Sequence, residues 1–399
     1  MRKEEQLRLL KGLIHHLDAK TNIDAGGIIK TPAETYTSSE RFEREWDTFF
    51  LNHPQIIGMS GDLPKPDTFM TTEDFGVPVL ATRNSSGEFK AYANICSHRG
   101  VIVEDVKRGE KSKFSCPFHG WTYNNEGALI GYPKSDQFGK IDKDCYGLKE
   151  LPALEKFGFL WVHPSQDGKI ELDDLLGKDL MEEFSSWNFQ DLIFANEEEY
   201  QTEMNWKLAI DTFGETYHFS VLHKDSLFQS FHGNCQMFDS FNRNGRLILC
   251  KRTIDEMRKL PESDWDICSG SLPVYYLFPN IIFMPTPEGA FLVKEYPAEN
   301  SPHKSFSKIS FYFYPHVLEH IKELEKTGIN GKELLEEQYG GFASVIRDED
   351  YVVAASSHRG LRTGTLDYLT FGKNEPALHH YHNTYRQALG LQSLPLEEA

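Results

Sequence analysis

The chain has 399 residues and a formal charge of −18, from 42 Lys and Arg and 60 Asp and Glu side chains. A chain of this length exceeds the usual size of a single domain, so we expect two domains. The negative charge disfavours nucleic acid and anionic membranes as partners, because both are themselves negatively charged.

Residues 1–45 predict a short amphipathic helix followed by a loop, and the apolar positions of this helix are Leu7, Leu9, Leu10, Leu13 and Ile14. Charged residues interrupt the apolar positions of this helix, and no small-residue cleavage site follows it. A membrane-spanning helix needs roughly 18 to 20 consecutive apolar residues, and the sequence contains no such run. We therefore expect a cytoplasmic protein. Six cysteines are too few for a disulfide scaffold in a chain of this size.

The remaining sequence falls into two patterns. From about residue 50 to residue 163, short strand-like runs alternate with turns such as Ser86-Gly87, which predicts an all-β module. From residue 164 onward the pattern is mixed: helical stretches and apolar strand-like runs come first, and three helical stretches close the chain. Runs of strands followed by runs of helices indicate an α+β domain.

Within the β-rich part, Cys96, His98, Cys116 and His119 form the pattern C-x-H, seventeen residues, C-x-x-H. Two loops that each present one thiolate and one imidazole can close around a [2Fe–2S] cluster, with the cysteines on one iron and the histidines on the other. Zinc sites usually combine C-x2-4-C with H-x3-5-H, which these residues do not. The pattern predicts an iron–sulfur cluster.

In the mixed part, His218 and His223 lie five residues apart in the stretch NWKLAIDTFGETYHFSVLH. On a regular helix this spacing rotates the second side chain by about 140°. Both histidines can therefore reach one metal only if the helix bends or ends between them.

Together, the two motifs resemble those of the α subunits of Rieske non-haem iron oxygenases, which are also called aromatic-ring-hydroxylating dioxygenases. The family pattern N-x-K, E/D-x-x-x-E/D-x-Y-H-x4-H is matched by Asn205, Lys207, Asp211, Glu215, Tyr217, His218 and His223. The later stretch RDEDYVVAASSHRGL is similar to the family's E-D, seven residues, Q-R-G-L, which selects Asp350 as the third ligand of a mononuclear iron. His358 replaces the family's Gln and is not assigned as a ligand. Two histidines and one carboxylate hold one face of ferrous iron and leave the other open.

The resemblance also implies a link between the two metal centres. Glu215 matches the carboxylate that connects the cluster of one subunit to the mononuclear iron of its neighbour, where it would accept hydrogen bonds from His218 and from His119 of the partner subunit. Asp211 is the competing candidate for this role, and Asn205 is a further candidate site residue. Such a relay implies a homotrimer or a higher multiple.

The implied architecture is an α+β chain in three parts. Residues 1–45 form an N-terminal helical segment that packs on the catalytic domain. Residues 46–163 form a Rieske antiparallel β-sandwich, and residues 164–399 form a catalytic domain in which an antiparallel sheet surrounds a long helix.

The implied function is oxygenation of a small organic substrate, either an aromatic ring or an aromatic acid, by hydroxylation, dihydroxylation or oxidative dealkylation. Each subunit would carry one [2Fe–2S] cluster and one Fe(II). Electrons would come from NAD(P)H only through a separate flavin-containing reductase, with or without a ferredoxin.

Two alternatives stay open. Glu215 in E-x-Y-H and the R-G-L that follows the last ligand favour a monooxygenase of quaternary ammonium compounds such as betaine or carnitine. The other alternative is a Rieske electron carrier without oxygenase activity. The mononuclear iron motif argues against a carrier, which has no use for it.

Overall fold

The computed structural model describes residues 1–398 and divides the chain into two compact units. The small unit contains Trp46–Glu171 and Asn188–Phe194. The large unit contains Met1–Glu45, Leu172–Trp187 and the chain from Ala195 onward. Among the described residues, no helix has both the length and the apolar composition that a membrane span requires.

The secondary-structure elements are numbered along the chain. The α-helices are α1 (Lys3–Ala19), α2 (Glu34–Thr37), α3 (Ser39–Glu45), α4 (Leu172–Leu175), α5 (Gly177–Ser185), α6 (Trp206–Asp211), α7 (Ile254–Met257), α8 (Ile267–Gly270), α9 (Pro315–Lys326), α10 (Gly331–Val345), α11 (Tyr351–Leu361) and α12 (Pro376–Ala388). The strands of the small unit and those before it are β1 (Ile29–Pro32), β2 (Gln55–Met59), β3 (Thr68–Thr72), β4 (Val79–Arg83), β5 (Phe89–Ala93), β6 (Arg108–Glu110), β7 (Lys113–Ser115), β8 (Thr122–Asn124), β9 (Leu129–Gly131), β10 (Glu150–Leu151), β11 (Ala153–Lys156) and β12 (Phe159–Val162). The later strands are β13 (Ile193–Thr202), β14 (Phe231–Phe241), β15 (Asn244–Lys251), β16 (Ser271–Leu277), β17 (Ile281–Pro285), β18 (Gly289–Ala298), β19 (Ser301–Phe313) and β20 (Tyr368–Phe371).

The small unit is built from antiparallel sheets. One sheet has the strand order β10-β5-β4-β3-β6, and two smaller sheets have the orders β11-β12-β2 and β7-β8-β9. Its core packs Phe69, Leu80 and Tyr123 around the side chains of Cys96 and Cys116. The cysteines of the cluster motif therefore lie inside this β-rich core.

The large unit is built on one sheet with the strand order β13-β19-β18-β17-β16-β15-β14, in which β14 to β19 pair antiparallel in sequence. Helix α10 packs against this sheet, where Phe342 stacks on Phe291 with ring centroids 4.3 Å apart. A π-helical turn (Ile346–Asp350) joins α10 to α11, so the three segments run on as one long helical element. The predicted α+β class, with a β-rich first part and an antiparallel sheet beside a long helix, is confirmed.

Helix α1 packs on the large unit's sheet through its apolar face. Leu9, Leu10 and Leu13 are fully buried and share a core with Cys235 and Ile248 of the sheet. Burying each leucine contributes about 1.5 to 3 kcal/mol relative to exposure. This contact anchors the start of the chain.

A buried polar trio fixes the start of α11, directly after Asp350. Glu295 on β18 lies opposite Ser307 on β19, and both contact Tyr351, the first residue of α11. The hydroxyl groups of Tyr351 and Ser307 donate hydrogen bonds to the two carboxyl oxygens of Glu295. Burial raises the pKa of Glu295 to about 8, although these two donors act in the opposite direction. The trio therefore ties the long helical element to the sheet around a carboxyl group that favours its neutral form.

Because the folded chain binds a proton at Glu295 more tightly than the unfolded chain does, stability should fall as pH rises. The loss is expected between about pH 4.5 and about pH 8, the ordinary and the raised pKa of this group. In Glu295→Gln the amide keeps the neutral form, so the melting temperature should depend less on pH across this window. Thermal melting at both ends of the window tests this, with Glu256→Gln as the exposed control. An equal pH dependence in wild type and Glu295→Gln would contradict the assignment.

Candidate metal centres

The two loops of the small unit that carry the C-x-H and C-x-x-H motifs have the same backbone turn. The amide of Gly100 donates to the carbonyl of Cys96 at 2.9 Å, and the amide of Gly120 donates to the carbonyl of Cys116 at 3.0 Å. Both glycines have positive φ, +75° and +70°, a conformation that side chains with a Cβ rarely adopt. Each glycine thus closes a turn that presents the ligand residues before it.

The four side chains divide by chemistry and by burial. Cys96 and Cys116 are only 3% and 4% exposed, whereas His98 and His119 reach the surface, with ring centroids 4.8 Å apart. Burial raises the pKa of the Cys116 thiol, which favours the protonated form unless a cation stabilises the thiolate. A buried sulfur pair beside an outward nitrogen pair is the donor set of a [2Fe–2S] cluster with mixed ligands. The residues therefore fit the cluster.

Two aromatic side chains support these ligands. The imidazole of His98 stacks on Trp121 with ring centroids 4.9 Å apart and an interplanar angle of 5°. The hydroxyl of Tyr123 lies 3.3 Å from the Sγ atom of Cys96 and accepts a hydrogen bond from the amide of Ser97 at 3.0 Å. Such contacts fix ligand orientation and place a polar group beside the sulfur.

In the large unit, His218 and His223 lie on either side of a helix end. His218 belongs to a short 3-10 turn (Tyr217–Ser220), and this turn stops before His223. The third candidate, Asp350, is the last residue of the π-helical turn between α10 and α11. The required interruption between the histidines is therefore present.

The three candidate ligand atoms point to one position. His218 Nε2 lies 3.1 Å from His223 Nε2, while Asp350 Oδ1 lies 3.2 Å from His223 Nε2 and 3.5 Å from His218 Nε2. Ligands about 2.1 Å from a metal and at right angles to each other are about 3 Å apart. The arrangement matches one triangular face of an octahedron, and its two imidazoles and one carboxylate fit ferrous iron.

Each histidine is oriented by a carboxylate on its other nitrogen. Glu215 Oε1 is hydrogen-bonded to His218 Nδ1, and Glu349 Oε2 lies 2.8 Å from His223 Nδ1. Ser226 also donates to Glu349, at 2.8 Å. With Nδ1 engaged in this way, both rings must present Nε2 to the metal position. Glu349 is not among the predicted site residues, although it lies directly before Asp350 in the sequence.

The site attracts positive charge. Burial alone lowers the pKa of His218, but the hydrogen bonds with Asp350 and Glu215 outweigh it and raise this pKa to about 9. The pKa of His223 is also raised, because Asp350 and Glu349 outweigh its burial. The carboxylates around the two imidazoles therefore favour a cation at their centre.

Asn205 and Asp211, the other predicted site residues, bind parts of the large unit together. The side chain of Asn205 accepts from the amide of Lys207 at 3.1 Å, capping α6, and donates to the carbonyls of Tyr36 and Pro302. Asp211 accepts from the hydroxyl of Tyr36 at 2.6 Å, and its other oxygen lies 2.9 Å from His382 Nε2. These hydrogen bonds join the N-terminal segment and α12 to the helix that precedes the histidines.

His358 lies apart from the three converging ligand atoms. It is buried, and its Nε2 lies 3.1 Å from Nδ1 of His303 on β19. Burial and the neighbouring His303 lower the pKa of His358 to about 4. It is a neutral packing residue on α11.

A cavity of about 190 Å³ opens beside the three ligand side chains. The five aromatic side chains in its wall are Phe213, Phe219, Phe231, Phe291 and Phe342. Aliphatic side chains from the sheet complete the apolar wall. Phe213 and Phe219 lie close to the histidines in the sequence, Phe231 and Phe291 come from β14 and β18, and Phe342 comes from α10.

A second, more open cavity of about 670 Å³ shares Glu215, His218 and Asp350 with the first. The metal position and Glu215 therefore border both cavities.

Comparison with known families matches both parts of the chain. Residues 53–152 match the Rieske [2Fe–2S] domain, and residues 189–391 match the ring hydroxylating alpha subunit (catalytic domain). The second match covers about half of the chain and contains the triad.

Similar proteins include both dioxygenases and monooxygenases. The α subunit of toluate 1,2-dioxygenase from Pseudomonas putida is 29% identical over 207 residues, which are 49% of this chain and 45% of that protein. Chloroplastic choline monooxygenase from Amaranthus tricolor is 24% identical over 95% of this chain and 82% of its own length. The solved structure of the quaternary ammonium Rieske monooxygenase CntA with L-carnitine has a TM-score of 0.72 at 19% identity, covering 90% of this chain and 96% of that one. At this identity the likeness shows the fold.

Glu349→Ala should weaken the binding of Fe(II) by roughly 10- to 100-fold, because His223 loses the acceptor that fixes its ring. Titration of metal-free protein with Fe(II) under anaerobic conditions measures the affinity. Asp348→Ala, an exposed carboxylate next in sequence, is the matched control and should leave it unchanged. If Glu349→Ala binds Fe(II) with wild-type affinity, Glu349 does not orient His223 for metal binding.

Proposed function

Because the chain belongs to the ring hydroxylating alpha subunit family, we propose that it is the oxygenase component of a multicomponent enzyme. It uses dioxygen and electrons from NAD(P)H, delivered by a separate reductase, to hydroxylate, dihydroxylate or oxidatively dealkylate a small organic substrate. The observation that carries this proposal is the convergence of His218, His223 and Asp350 at the wall of an apolar cavity.

The chain's own residues divide the work. The side chains of Cys96, Cys116, His98 and His119 would hold the [2Fe–2S] cluster, and the triad would hold one Fe(II). When bound, the cluster would supply electrons and the triad iron would supply oxygen activation. The phenylalanine-rich wall holds the substrate beside the open face of the triad and keeps water away from it.

We assign Glu215 as the bridge between metal centres of neighbouring subunits. Two observations support this: Glu215 is hydrogen-bonded to the metal-ligand candidate His218, and it lines both cavities. His119 lies exposed on the small unit, as a group that docks on a neighbouring copy must. The corresponding assembly is a homotrimer or a higher multiple, served by a flavin-containing reductase with or without a ferredoxin. The division at residues 45/46 and 163/164 and the cytoplasmic location are part of the same proposal.

A monooxygenase of quaternary ammonium compounds is the second candidate. It is favoured by the E-x-Y-H motif around Glu215 and by the similarity to choline monooxygenase over most of both chains. The triad disfavours an electron carrier without oxygenase activity, because a carrier needs no open metal face.

Nitric oxide, an oxygen surrogate, tests the proposed function. Iron-replete, dithionite-reduced protein should give a high-spin ferrous–nitrosyl EPR signal in addition to the signal of the reduced cluster. Asp350→Ala should lose the nitrosyl signal and fall from three irons per chain to about two, because the cluster stays loaded. Asp348→Ala is the control. A nitrosyl signal of wild-type size in Asp350→Ala would overturn the ligand assignment, and its absence from iron-replete wild type would overturn the oxygenase.

Glu215→Gln should retain both metal centres but slow reductase-driven oxygen consumption by roughly 10- to 100-fold, because the amide cannot take the place of the bridging carboxylate. Iron content and the EPR signal of the cluster verify that both centres are loaded. Glu203→Gln, an exposed glutamate in the same unit, should match wild type. Full oxygen consumption in Glu215→Gln would contradict the bridge.

A further inference from the structure

The wall of the apolar cavity contains one lysine, Lys251, at the end of β15. Side chains two residues apart on a strand share a face, so Lys251 lies on the same face as Leu249, which also lines the cavity. The register of the sheet places Leu249 opposite Leu272 of β16, another lining residue. Lys251 therefore belongs to the wall that the sheet contributes, whereas the metal-ligand candidates come from the helical side.

The ammonium group of Lys251 is only partly satisfied by the chain. Its Nζ donates to the carbonyl of Cys268 at 2.7 Å, which uses one of three N–H donors. It forms no ion pair within the described part of the chain, although Asp266 and Glu288 act on it through space. Burial lowers the pKa of Lys251, and an anion bound beside the ammonium group would oppose this effect and favour the charged form.

The acidic residues of the cavity wall are already engaged. Glu215 and Asp350, the carboxylates in the wall, are hydrogen-bonded to the histidines of the triad. With Fe(II) bound, the two negative charges of these carboxylates would balance the two positive charges of the metal ion. A cationic substrate would meet no unpaired carboxylate in the wall, and it would meet the charge of Lys251.

The size and lining of the cavity also restrict the substrate. A cavity of about 150 Å³ lined by apolar side chains accepts benzene, so 190 Å³ suits a single ring with a small substituent. The five phenylalanines give this ring edge and face contacts on several sides.

We propose that Lys251 is the specificity-determining residue of this site and that the substrate is a small, single-ring carboxylic acid whose carboxylate binds to the Lys251 ammonium. The proposal rests on the oxygenase function and selects one substrate class within it. Lys251 holds the anionic end of the substrate, and the phenylalanine wall holds the ring beside the triad. A betaine or carnitine is disfavoured, because its quaternary ammonium group would share the cavity with the ammonium group of Lys251.

Isothermal titration calorimetry of iron-loaded protein under anaerobic conditions tests this directly. It measures the affinity for benzoate, for toluene as the uncharged analogue and for glycine betaine. Wild type should bind benzoate more tightly than toluene and should not bind glycine betaine. Lys251→Met keeps most of the length of the side chain but removes the charge. It should weaken the binding of benzoate roughly 10- to 100-fold, while the affinity for toluene changes little. Lys251→Arg should retain most of the affinity for benzoate. Lys259→Met, an exposed lysine, is the matched control.

Three results would overturn the proposal: unchanged benzoate affinity in Lys251→Met, equal weakening of benzoate and toluene, or binding of glycine betaine in place of benzoate by wild type. The ferrous–nitrosyl EPR signal, measured on the same samples, separates this failure from a failure of the proposed function. If the signal is present, the oxygenase stands and only the carboxylate preference falls. If the signal is absent from iron-replete protein, the oxygenase itself falls.

Discussion

The metal site of the large unit depends on one contact between residues that lie 127 positions apart in the sequence. In this contact, His223 Nε2 lies 3.2 Å from Asp350 Oδ1. Two imidazoles and three carboxylates then share a small, partly buried volume. Such a group is stable only if its charges are paired or bound to metal. The hydrogen bonds that Glu215 and Glu349 accept from the two histidines satisfy this condition and also point the free nitrogens towards one position.

Polar contacts away from the metal position stabilise the backbone segments that carry the histidines and Asp350. On one side, Asn205 caps α6 and bonds the N-terminal segment, and Lys207 forms a fully buried ion pair with Glu45. On the other side, Glu295 and Ser307 hold Tyr351, the residue that follows Asp350. The family motif from Asn205 to His223 thus contains two kinds of residue. The histidines face the metal position and Glu215 orients His218 through its other nitrogen, while Asn205 and Lys207 keep the backbone that presents them in place.

The parts of the site that were predictable from sequence are those with a local spacing. Both loops of the cluster motif close through a glycine four residues after the cysteine, so their geometry is contained in short segments. Asp350 could be selected only through a resemblance, because nothing local distinguishes it from Asp348 or Glu349. Glu349 and Lys251 were not singled out at all. Their roles depend on which side chains the folded sheet and helices place opposite them. The π-helical turn that carries Asp350 was equally unpredictable, since its residues have an ordinary helical pattern.

Two separate iron centres in this chain can be tested most directly by diffraction from iron-replete crystals at the iron absorption edge. We expect one anomalous peak within bonding distance of His218 Nε2, His223 Nε2 and Asp350 Oδ1. We also expect a pair of irons between Cys96, Cys116, His98 and His119. Anomalous density at the cluster alone, with the triad empty in crystals that contain three irons per chain, would contradict this expectation.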